Sequence, residues 1–529
     1  MGEPQPGAVT SDPAPSTAPA GPAPGPTPTV EFEVLIVVGI LLALLMGALD
    51  SFVVLTALHT ILDQFHQPNS GTFVISAYVI ASTTGIPIFA KLSDLWSRRN
   101  VFLAGLAIFI AGSVLAGISQ NLSELIAFRA VQGFGSGDFF PVGIAIVAVT
   151  FPPETRARVI GALSGVFGIA VVAGPLIGSA IVGFTTWRWV FYVNIPIGLV
   201  GFAIVASVLG PLRPPVVRQF DSVGAALLTG WVAALMFPLY QIADNGWAWT
   251  DLRVVGLLAT AAVLVVLFLV WEYRAANPLV PIRLFGQRII AAGGGATYFI
   301  GMVFFPVATF LSLVVSFALA PPGAQTANLV RDILYFLVVP LVVGAALGGQ
   351  LLTRLSYRGV ALVGIVIAIA GMADLSLLSV STPLWRFAFG FFPIGGVVVA
   401  LIPLGFGIGL TFPVFLLSAQ NQVATMDVGE AGGLIQFLQS LGGAVGLSVL
   451  ASVQETRFQA LDPSPSPACA SATPPFPLCT TYLDLYRGSL ISSYDLTFGV
   501  MLALLVVALA LGLFLRGRLP RAASPIPPP

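Results

Sequence analysis

The sequence predicts an all-α integral membrane protein with fourteen transmembrane helices, and three observations lead to this prediction. Of its 529 residues, 57% are hydrophobic and only 8% are charged, whereas a soluble domain carries roughly 25% charged residues to cover its surface. Apolar runs of about 20 residues recur along the chain, which is the length that a helix needs to cross a bilayer. The basic residues collect in alternate connections between these runs, as in membrane proteins that follow the positive-inside rule.

The apolar runs are separated by turn residues or by charges. In chain order they cover residues 34–57, 70–90, 101–119, 122–150, 158–183, 189–210, 221–242, 253–273, 290–318, 329–352, 359–381, 392–418, 430–453 and 490–515. Residues 1–30 are instead rich in Pro, Ala, Gly and Thr, and they lack the basic region of a signal peptide. Such a segment has too little apolar surface to fold, so we expect a disordered tail.

The distribution of Lys and Arg predicts the orientation in the membrane. Fifteen of the 22 basic residues fall on the same side as the N-terminus and six on the opposite side, while Arg129 lies inside a run. Both termini are therefore expected in the cytoplasm. The 22 basic residues are balanced by 22 acidic residues, so there is no basic footprint for nucleic acid. The expected partners are the lipid bilayer and a small molecule.

Both cysteines of the chain, Cys469 and Cys479, lie in the connection between the last two runs. On the predicted topology this connection faces outward, where disulfides persist. A bridge between the two cysteines is one interpretation, and two unpaired thiols are the other. Because no His lies nearby, the spacing does not indicate a metal site, and we expect neither a metal nor a cofactor.

Asp50 is the first candidate functional residue, because it lies in the middle of the first run, GALDSFVVLTALHTILDQF. An ionisable group inside a membrane span is costly and indicates a function. Burial favours the neutral carboxylic acid, so such a group can take up a proton on one side of the membrane and release it on the other. A role in helix packing or in an ion pair is the alternative.

The fourth run carries Arg129 and Asp138 in FRAVQGFGSGDFFPVG. They are nine residues apart, about two and a half helical turns, so they should point to opposite faces and not pair. Arg129 shares its face with Gln132 and Ser136, which predicts a polar stripe on a water-filled cavity, and we expect its positive charge near Asp50. Asp138 is a candidate for the substrate cavity, together with Gln132 and Ser136, or else a locally hydrogen-bonded residue.

Glycine and proline mark the fifth and twelfth runs. Gly174 and Gly178 are four residues apart, a pattern of small residues that lets helices approach closely. Pro175 lies between them and permits a bend, and Pro393, Pro403 and Pro413 should kink the twelfth helix. Kinked helices suit a protein that rocks between two states, although tight packing alone would also explain them.

Six segments match the motifs of one known family. They are LDSFVVLTALHTI (49–61), KLSDLWSRR (91–99), RAVQGFGSG (129–137), GPLIG (174–178), WRWVFYVNIPIG (187–198) and GEAGGLIQFLQSLGGAVG (429–446). With them the chain resembles the fourteen-helix drug:proton antiporter family of the major facilitator superfamily, over roughly residues 34–515. The departures from the family's motifs are Leu55, His59, Ala90, Leu95 and Ser97.

The resemblance implies the major facilitator fold, which is two six-helix bundles, here with two additional helices between them. The bundles would cover residues 31–210 and 286–516, the two additional helices 211–285, and a C-terminal tail 517–529. The chain would be a multi-pass protein of the cell membrane that functions as a monomer.

The resemblance also implies a function, which is proton-driven efflux of lipophilic or cationic small molecules, with a role in antibiotic resistance. Asp50 and Arg129 would carry the proton coupling. The fifth-helix motif would comprise Gly174, Pro175 and Gly178. The cytoplasmic gate would be formed by Lys91, Asp94, Arg98 and Arg99.

Three other functions remain open at this point. A dedicated exporter of a lipid, siderophore or antibiotic would use the same fold. A membrane-embedded enzyme would need a nucleophile with its base or a set of metal ligands. Because the chain has two His and two Cys, none of them placed together inside the membrane, we expect no catalytic residues. A receptor or channel is the third alternative, and a channel should show a repeated polar filter.

Overall fold

The computed structural model describes residues 30–66, 71–151, 159, 163, 170, 173–210, 220–319, 326–352, 354–377, 387–389, 392–394, 397–423, 428–461 and 477–517. Thirteen helices within these residues are long and apolar enough to cross a membrane. A shorter apolar helix, Ala173–Phe184, lies where the fifth helix was predicted. The prediction of an all-α membrane protein is therefore confirmed, and the fifth of its predicted helices is described in part.

The first part of the chain forms the helices that surround the candidate site. They are α1 (Val30–Gln64), α2 (Gly71–Leu95), α3 (Arg98–Ile118), α4 (Leu122–Ser136), α5 (Phe139–Thr150), α6 (Ala173–Phe184), α7 (Trp189–Tyr192) and α8 (Asn194–Val208). Helices α9 (Ser222–Asn245) and α10 (Leu252–Arg274) follow, and then a 3₁₀ turn, Ile282–Gly286.

The remaining elements form the second part of the chain. They are α11 (Arg288–Val314), which continues as a π-helical turn at Val315–Leu319, α12 (Thr326–Leu351), α13 (Tyr357–Leu375), strands β1 (Phe387–Phe389) and β2 (Phe392–Ile394), α14 (Val397–Gln420), α15 (Val428–Leu461) and α16 (Pro477–Gly512). Helices α1–α8 pack mainly on one another, as do α11–α16, and α2 packs against α15 across the two groups.

The fourth predicted helix is interrupted at Gly137 and Asp138, between α4 and α5. Pro141 lies four residues after Gly137 and has no N–H to donate to the Gly137 carbonyl, so the regular ladder of hydrogen bonds cannot continue through this turn. The Asp138 N–H donates to the Gly135 carbonyl, three residues earlier rather than four, at 3.3 Å, and this shorter step tightens the turn. A single membrane span is thus built from two helices.

The twelfth predicted helix begins later than expected. Residues 392–394, which we predicted at its start, form strand β2, which pairs antiparallel with β1, and helix α14 begins at Val397. Pro393 lies opposite Ala388 in this hairpin. Proline disfavours the helical conformation of the residue before it, and the aromatic and branched neighbours favour an extended chain. Pro403 and Pro413 lie inside α14, as predicted.

Helices α9 and α10 pack on each other and on the last part of the chain. The Ser452 hydroxyl on α15 donates to the Leu239 carbonyl of α9 at 2.9 Å. Four residues further along α15, the Thr456 hydroxyl accepts a hydrogen bond at 2.9 Å from the indole of Trp249, in the connection between α9 and α10. The α9–α10 pair is therefore fixed to α15 by polar contacts at two levels.

Glycine allows the closest helix contacts of the second half. A Cβ atom at Gly405 of α14 would collide with the Leu337 carbonyl oxygen of α12, and one at Gly371 of α13 would lie 2.5 Å from the Ala400 carbonyl oxygen of α14. In a bilayer, where lipid tails are as apolar as the side chains, such close approach is a main source of helix association.

Gly405→Ala should therefore lower the thermal stability of the purified protein in detergent. The added methyl group would meet backbone rather than a flexible side chain, and overpacking of this kind costs about 1–3 kcal/mol. Gly349→Ala on α12 is the matched control, because nothing lies within 4 Å of a Cβ atom at that position. Equal melting temperatures for the two variants would contradict the close contact between α12 and α14.

Candidate functional site

Asp50 lies in the middle of α1 with only 1% of its surface exposed. One carboxylate oxygen, Oδ2, accepts a hydrogen bond from Nη1 of Arg129, with which Asp50 forms a buried ion pair. The other, Oδ1, accepts from the side-chain amides of Gln132 and Asn194, both at 2.8 Å. Both oxygens of the carboxylate are therefore hydrogen-bonded inside the protein.

Arg129 on α4 is fully buried and is held from several sides. Its Nη1 also donates to Oε1 of Gln132 at 2.8 Å, and its Nε donates to the Val74 carbonyl at 3.2 Å. The guanidinium carbon lies 4.2 Å from the centre of the Tyr78 ring, the distance of a cation–π contact. These contacts fix the position of the positive charge beside Asp50.

The remaining members of this network come from two further helices. The Gln132 amide donates to the Ser113 hydroxyl of α3 at 2.8 Å, and Asn194 is the first residue of α8. We call Asp50, Ser113, Arg129, Gln132 and Asn194 the Asp50 network. Sequence reasoning missed Ser113 and Asn194. For Asn194 a signal existed, because it is a lone amide in an otherwise apolar stretch of the motif at 187–198.

The Asp50 network has the hydrogen bonds of an ionised carboxylate. All three side chains that contact the carboxyl oxygens donate a hydrogen to them, so a proton on Asp50 would point at a donor. Neutralising Asp50 would also leave the buried Arg129 without its counter-charge, which is strongly unfavourable. Uptake of a proton therefore requires that this network rearranges.

A small cavity adjoins the network at the boundary between the two groups of helices. Its volume is about 40 Å³, and Ser51, Tyr78 and Arg129 line one side. Phe304, Phe305, Ala308 and Thr309 of α11 line the other side. Sites for small molecules usually enclose about 300–1,000 Å³, so the space beside Asp50 is closed to such a ligand in this conformation.

The three residues predicted for the substrate cavity do not line this space. Gln132 is fully buried within the Asp50 network. The Ser136 hydroxyl donates to the Gly133 carbonyl of its own helix at 2.7 Å. Asp138 is fully buried at the junction of α4 and α5, next to Gly105 of α3. Arg129 pairs with Asp50, and Asp138 forms no ion pair with it in the structure.

The predicted gate motif spans the end of α2 and the start of α3. Lys91 is buried, and its ammonium group donates to the Pro278 carbonyl at 3.0 Å, in the connection between α10 and α11. Asp94 lies within α2, but its side chain is outside the described part of the structure. Arg98 and Arg99 begin α3 and are half-buried, and the Arg99 guanidinium donates to a backbone carbonyl of α8.

Glu272 near the end of α10 belongs to the surroundings of Lys91, and sequence reasoning missed it. Its carboxylate is buried and accepts the Val280 N–H at 3.2 Å, two residues beyond the carbonyl that Lys91 binds. The connection after α10 is therefore held by one acidic side chain and one basic side chain. A single acid at the end of a long apolar run gives no signal of this contact.

The predicted fifth-helix motif lies against α1. A Cβ atom at Gly174 would lie 2.5 Å from the Cβ atom of Phe52, and one at Gly178 would collide with the Thr56 hydroxyl. Gly174 and Pro175 are buried. The two glycines therefore bring α6 into direct contact with the turns of α1 that follow Asp50.

The proposed bridge between Cys469 and Cys479 involves side chains outside the described part of the structure. Within the described ranges, no group of three or more His, Cys, Asp or Glu side chains is placed to hold a metal ion. His59 packs on Phe317, with 5.0 Å between the ring centres, and does not contact the Asp50 network.

Comparisons with known proteins agree with this architecture. Residues 40–447 match the model of the Major Facilitator Superfamily. The chain is 31% identical to Multidrug resistance protein 3 of Bacillus subtilis, with 80% of each chain covered. It is 29% identical to the Tetracenomycin C resistance and export protein of Streptomyces glaucescens, with 92% of each covered.

A solved structure shares the fold at low sequence identity. It is a bacterial homolog of the human lysosomal transporter Spinster, in an inward-facing and unoccupied conformation. The TM-score is 0.62 at 16% identity, and the match covers 92% of this chain and 97% of that one. The chain therefore belongs to the Major Facilitator Superfamily and is a multi-pass membrane transport protein rather than an enzyme.

Proposed function

We propose that this protein exports lipophilic or cationic small molecules from the cell in exchange for protons. The observation that carries the proposal is the buried Asp50 network beside a cavity between two groups of helices. The names of its relatives, a multidrug resistance protein and an antibiotic export protein, support efflux as the direction of transport.

Coupling would follow from the charge state of Asp50. With Asp50 ionised, Arg129 is paired and the network holds α1, α3, α4 and α8 together. With Asp50 protonated, Arg129 loses its counter-charge, and the arrangement described here becomes unfavourable. Proton binding would thus favour a second conformation, and alternating access would consist of residues 31–210 rocking against residues 286–516.

The first bundle makes different contacts with the rest of the chain at its two ends. At one end His59 packs on Phe317, and Arg331 donates to the Ser179 hydroxyl at 3.4 Å. At the other end Lys91 binds the connection after α10. We propose that the Lys91 end faces the cytoplasm with both termini, as the distribution of basic residues indicates.

The remaining features of the proposal are carried over from the sequence. Residues 211–285 would form the two additional helices between the bundles. The protein would work as a monomer in the cell membrane, and a proton gradient rather than a cofactor would drive it. Lys91, Asp94, Arg98 and Arg99 would control opening on the cytoplasmic side, while Gly174, Pro175 and Gly178 would guide the movement of α6 against α1.

The charge of the substrate decides which part of the proton gradient can drive export. Each proton that crosses a potential of 100 mV supplies roughly 2.3 kcal/mol. When one proton is exchanged for one monovalent cation, no net charge moves. The membrane potential then contributes nothing, and the pH difference alone drives transport. A neutral substrate would use both parts of the gradient.

Asp50→Asn should abolish cation-dependent proton release from everted vesicles with an acidic interior, because asparagine cannot carry the proton. Ethidium and tetraphenylphosphonium are suitable probes, and a pH-sensitive dye inside the vesicles reports the release. Asp63→Asn is the matched control on the same helix, since Asp63 is exposed at the end of α1. If Asp50→Asn released protons as well as the parent, Asp50 would not be the coupling group.

Arg129→Gln should destabilise the protein more than the double variant Asp50→Asn/Arg129→Gln. Removing one partner of a buried ion pair leaves an uncompensated charge and costs about 3–5 kcal/mol, whereas the double variant leaves none. Thermal unfolding of the parent, both single variants and the double variant gives the coupling between the two sites. Equal stability of the single Arg129→Gln variant and the double variant would contradict the ion pair.

Lys91→Met should slow transport without changing its dependence on pH. The variant keeps the apolar stem but loses a hydrogen bond from a charged group, which contributes about 1.5–3 kcal/mol. Arg253→Met is the control, because its ion pair with Asp251 is exposed to solvent, where ion pairs contribute little to stability. An unchanged rate of ethidium efflux in Lys91→Met would exclude a gating role for the contact with Pro278.

A further inference from the structure

Asp138 is a fully buried carboxyl group that the proposed cycle does not use. Within the described part of the structure, neither of its side-chain oxygens has a hydrogen-bond partner. It precedes α5, where an aspartate commonly caps the helix, yet it makes no capping hydrogen bond. Burying a carboxylate without a partner costs far more than burying a neutral carboxylic acid, so this geometry favours the protonated form.

Among the residues that the structure describes, no opposite charge contacts Asp138. The helices packed around the junction of α4 and α5 carry few titratable side chains in the membrane region, and no contact between any of them and Asp138 occurs among the described residues. These side chains are Asp50 on α1, Tyr78, Lys91 and Asp94 on α2, Arg98 and Arg99 on α3, and Arg129 on α4. Helix α15, which also packs on α5, carries Glu430, Glu455 and Arg457, and the side chains of Asp94 and Glu430 are outside the described part of the structure. Helix α5 itself carries none.

Gly105 of α3 creates the space that Asp138 occupies. A Cβ atom at Gly105 would collide with the Asp138 side chain, so the carboxyl group fills the place of the missing methyl group. The same pair of helices holds the Asp50 network, where a Cβ atom at Gly112 of α3 would meet the backbone of Gln132. Asp138 lies six residues beyond Gln132, about 9 Å along the helix toward the Lys91 end.

The helix is interrupted where Asp138 lies, which gives the carboxyl a way to change its surroundings. Pro141 has no N–H to donate to the Gly137 carbonyl, so the turn that carries Asp138 lacks one of the regular hydrogen bonds of a helix. In membrane transporters, interrupted helices near the midplane form ion and substrate sites. Movement of α5 away from α3 would expose Asp138 to water, whereas the contact with Gly105 excludes water from it.

We propose that Asp138 is a second proton-carrying group, which is protonated in the conformation in which Asp50 is ionised. This inference rests on the proposed function, because it assigns a second proton to the same cycle. A second proton crosses only if Asp50 and Asp138 are both protonated in the inward step and both ionised in the return step, so the arrangement described here lies between these two states. Two protons exchanged for one monovalent cation then move one net positive charge inward in each cycle. The membrane potential then drives export together with the pH difference.

The experiment compares the parent, Asp138→Asn and Asp50→Asn, each as the full chain reconstituted in vesicles. Proton release and the uptake of ethidium or tetraphenylphosphonium are measured at a fixed pH difference, with the membrane potential set by a potassium gradient and valinomycin. We expect the proton-to-cation ratio to fall from two to one in Asp138→Asn, and its exchange to lose the response to the potential. Asp50→Asn should lose proton-coupled exchange altogether.

A second measurement does not depend on the choice of substrate. The infrared spectrum of the parent minus that of Asp138→Asn, both at neutral pH, should contain the C=O stretching band of a protonated carboxyl. The spectrum of the parent minus that of Asp50→Asn should not contain this band, because Asp138 is protonated in both proteins. Gly105→Ala should lower the thermal stability of the parent but be tolerated together with Asp138→Ala, since the methyl group would then take the place of the carboxyl.

These measurements distinguish an error about Asp138 from an error about the proposed function. If the parent exchanges protons for the cation, but Asp138→Asn keeps the same ratio and the same response to the potential, the inference about Asp138 is wrong and the proposed function stands. An infrared band unchanged in Asp138→Asn would likewise overturn the inference. If the parent releases no protons with either cation, the proposed function fails, and the second proton fails with it.

Discussion

The buried ion pair between Asp50 and Arg129 is the interaction on which the rest of the site depends. Two opposite charges in a membrane interior are tolerated only when they are paired and their remaining hydrogen-bonding groups are satisfied. Gln132, Asn194 and the Val74 carbonyl supply those hydrogen bonds, so the pair fixes the relative position of helices that are far apart in sequence. The same requirement makes the arrangement sensitive to one proton, because neutralising Asp50 leaves Arg129 buried and unpaired. The interaction that orders the site is thus also the one that a proton can undo.

The network can form only because small residues let the helices approach closely. Gly133 of α4 faces the Tyr78 carbonyl of α2 at a distance that no Cβ atom would allow, and Gly112 of α3 accommodates the backbone of Gln132. Arg129, Gln132 and their partners would be too far apart for direct hydrogen bonds if these contacts were wider. In a bilayer, packing and interhelical hydrogen bonds together replace the hydrophobic drive that assembles a soluble core. The glycines and the polar network therefore depend on each other.

The same helices that hold the network also contain the features that permit movement. Pro141 interrupts the span formed by α4 and α5 between the Asp50 network and the Lys91 end, and Asp138 lies at this interruption. The adjoining cavity of about 40 Å³ is bounded on one side by α1, α2 and α4 and on the other by α11. A change in the position of the two halves would alter the cavity and the surroundings of both carboxyl groups at once. This geometry is the physical basis for linking proton binding to access from one side.

The sequence by itself determined the class of the protein, most of the membrane spans and the proximity expected for Asp50 and Arg129. Composition and apolar periodicity are local properties, and a charge inside an apolar run is visible without a structure.

Tertiary structure alone decided which neutral side chains complete the site. Asn194 is 144 residues from Asp50, and although a lone amide in an apolar stretch is a signal in the sequence, only the packing of α8 on α1 shows that it contacts Asp50. The structure also separated two acids that look alike in the sequence, because Asp50 has three donors within reach and Asp138 has none among the described residues. The state of a buried carboxyl is set by its neighbours in space, and those neighbours come from helices whose packing no local pattern specifies.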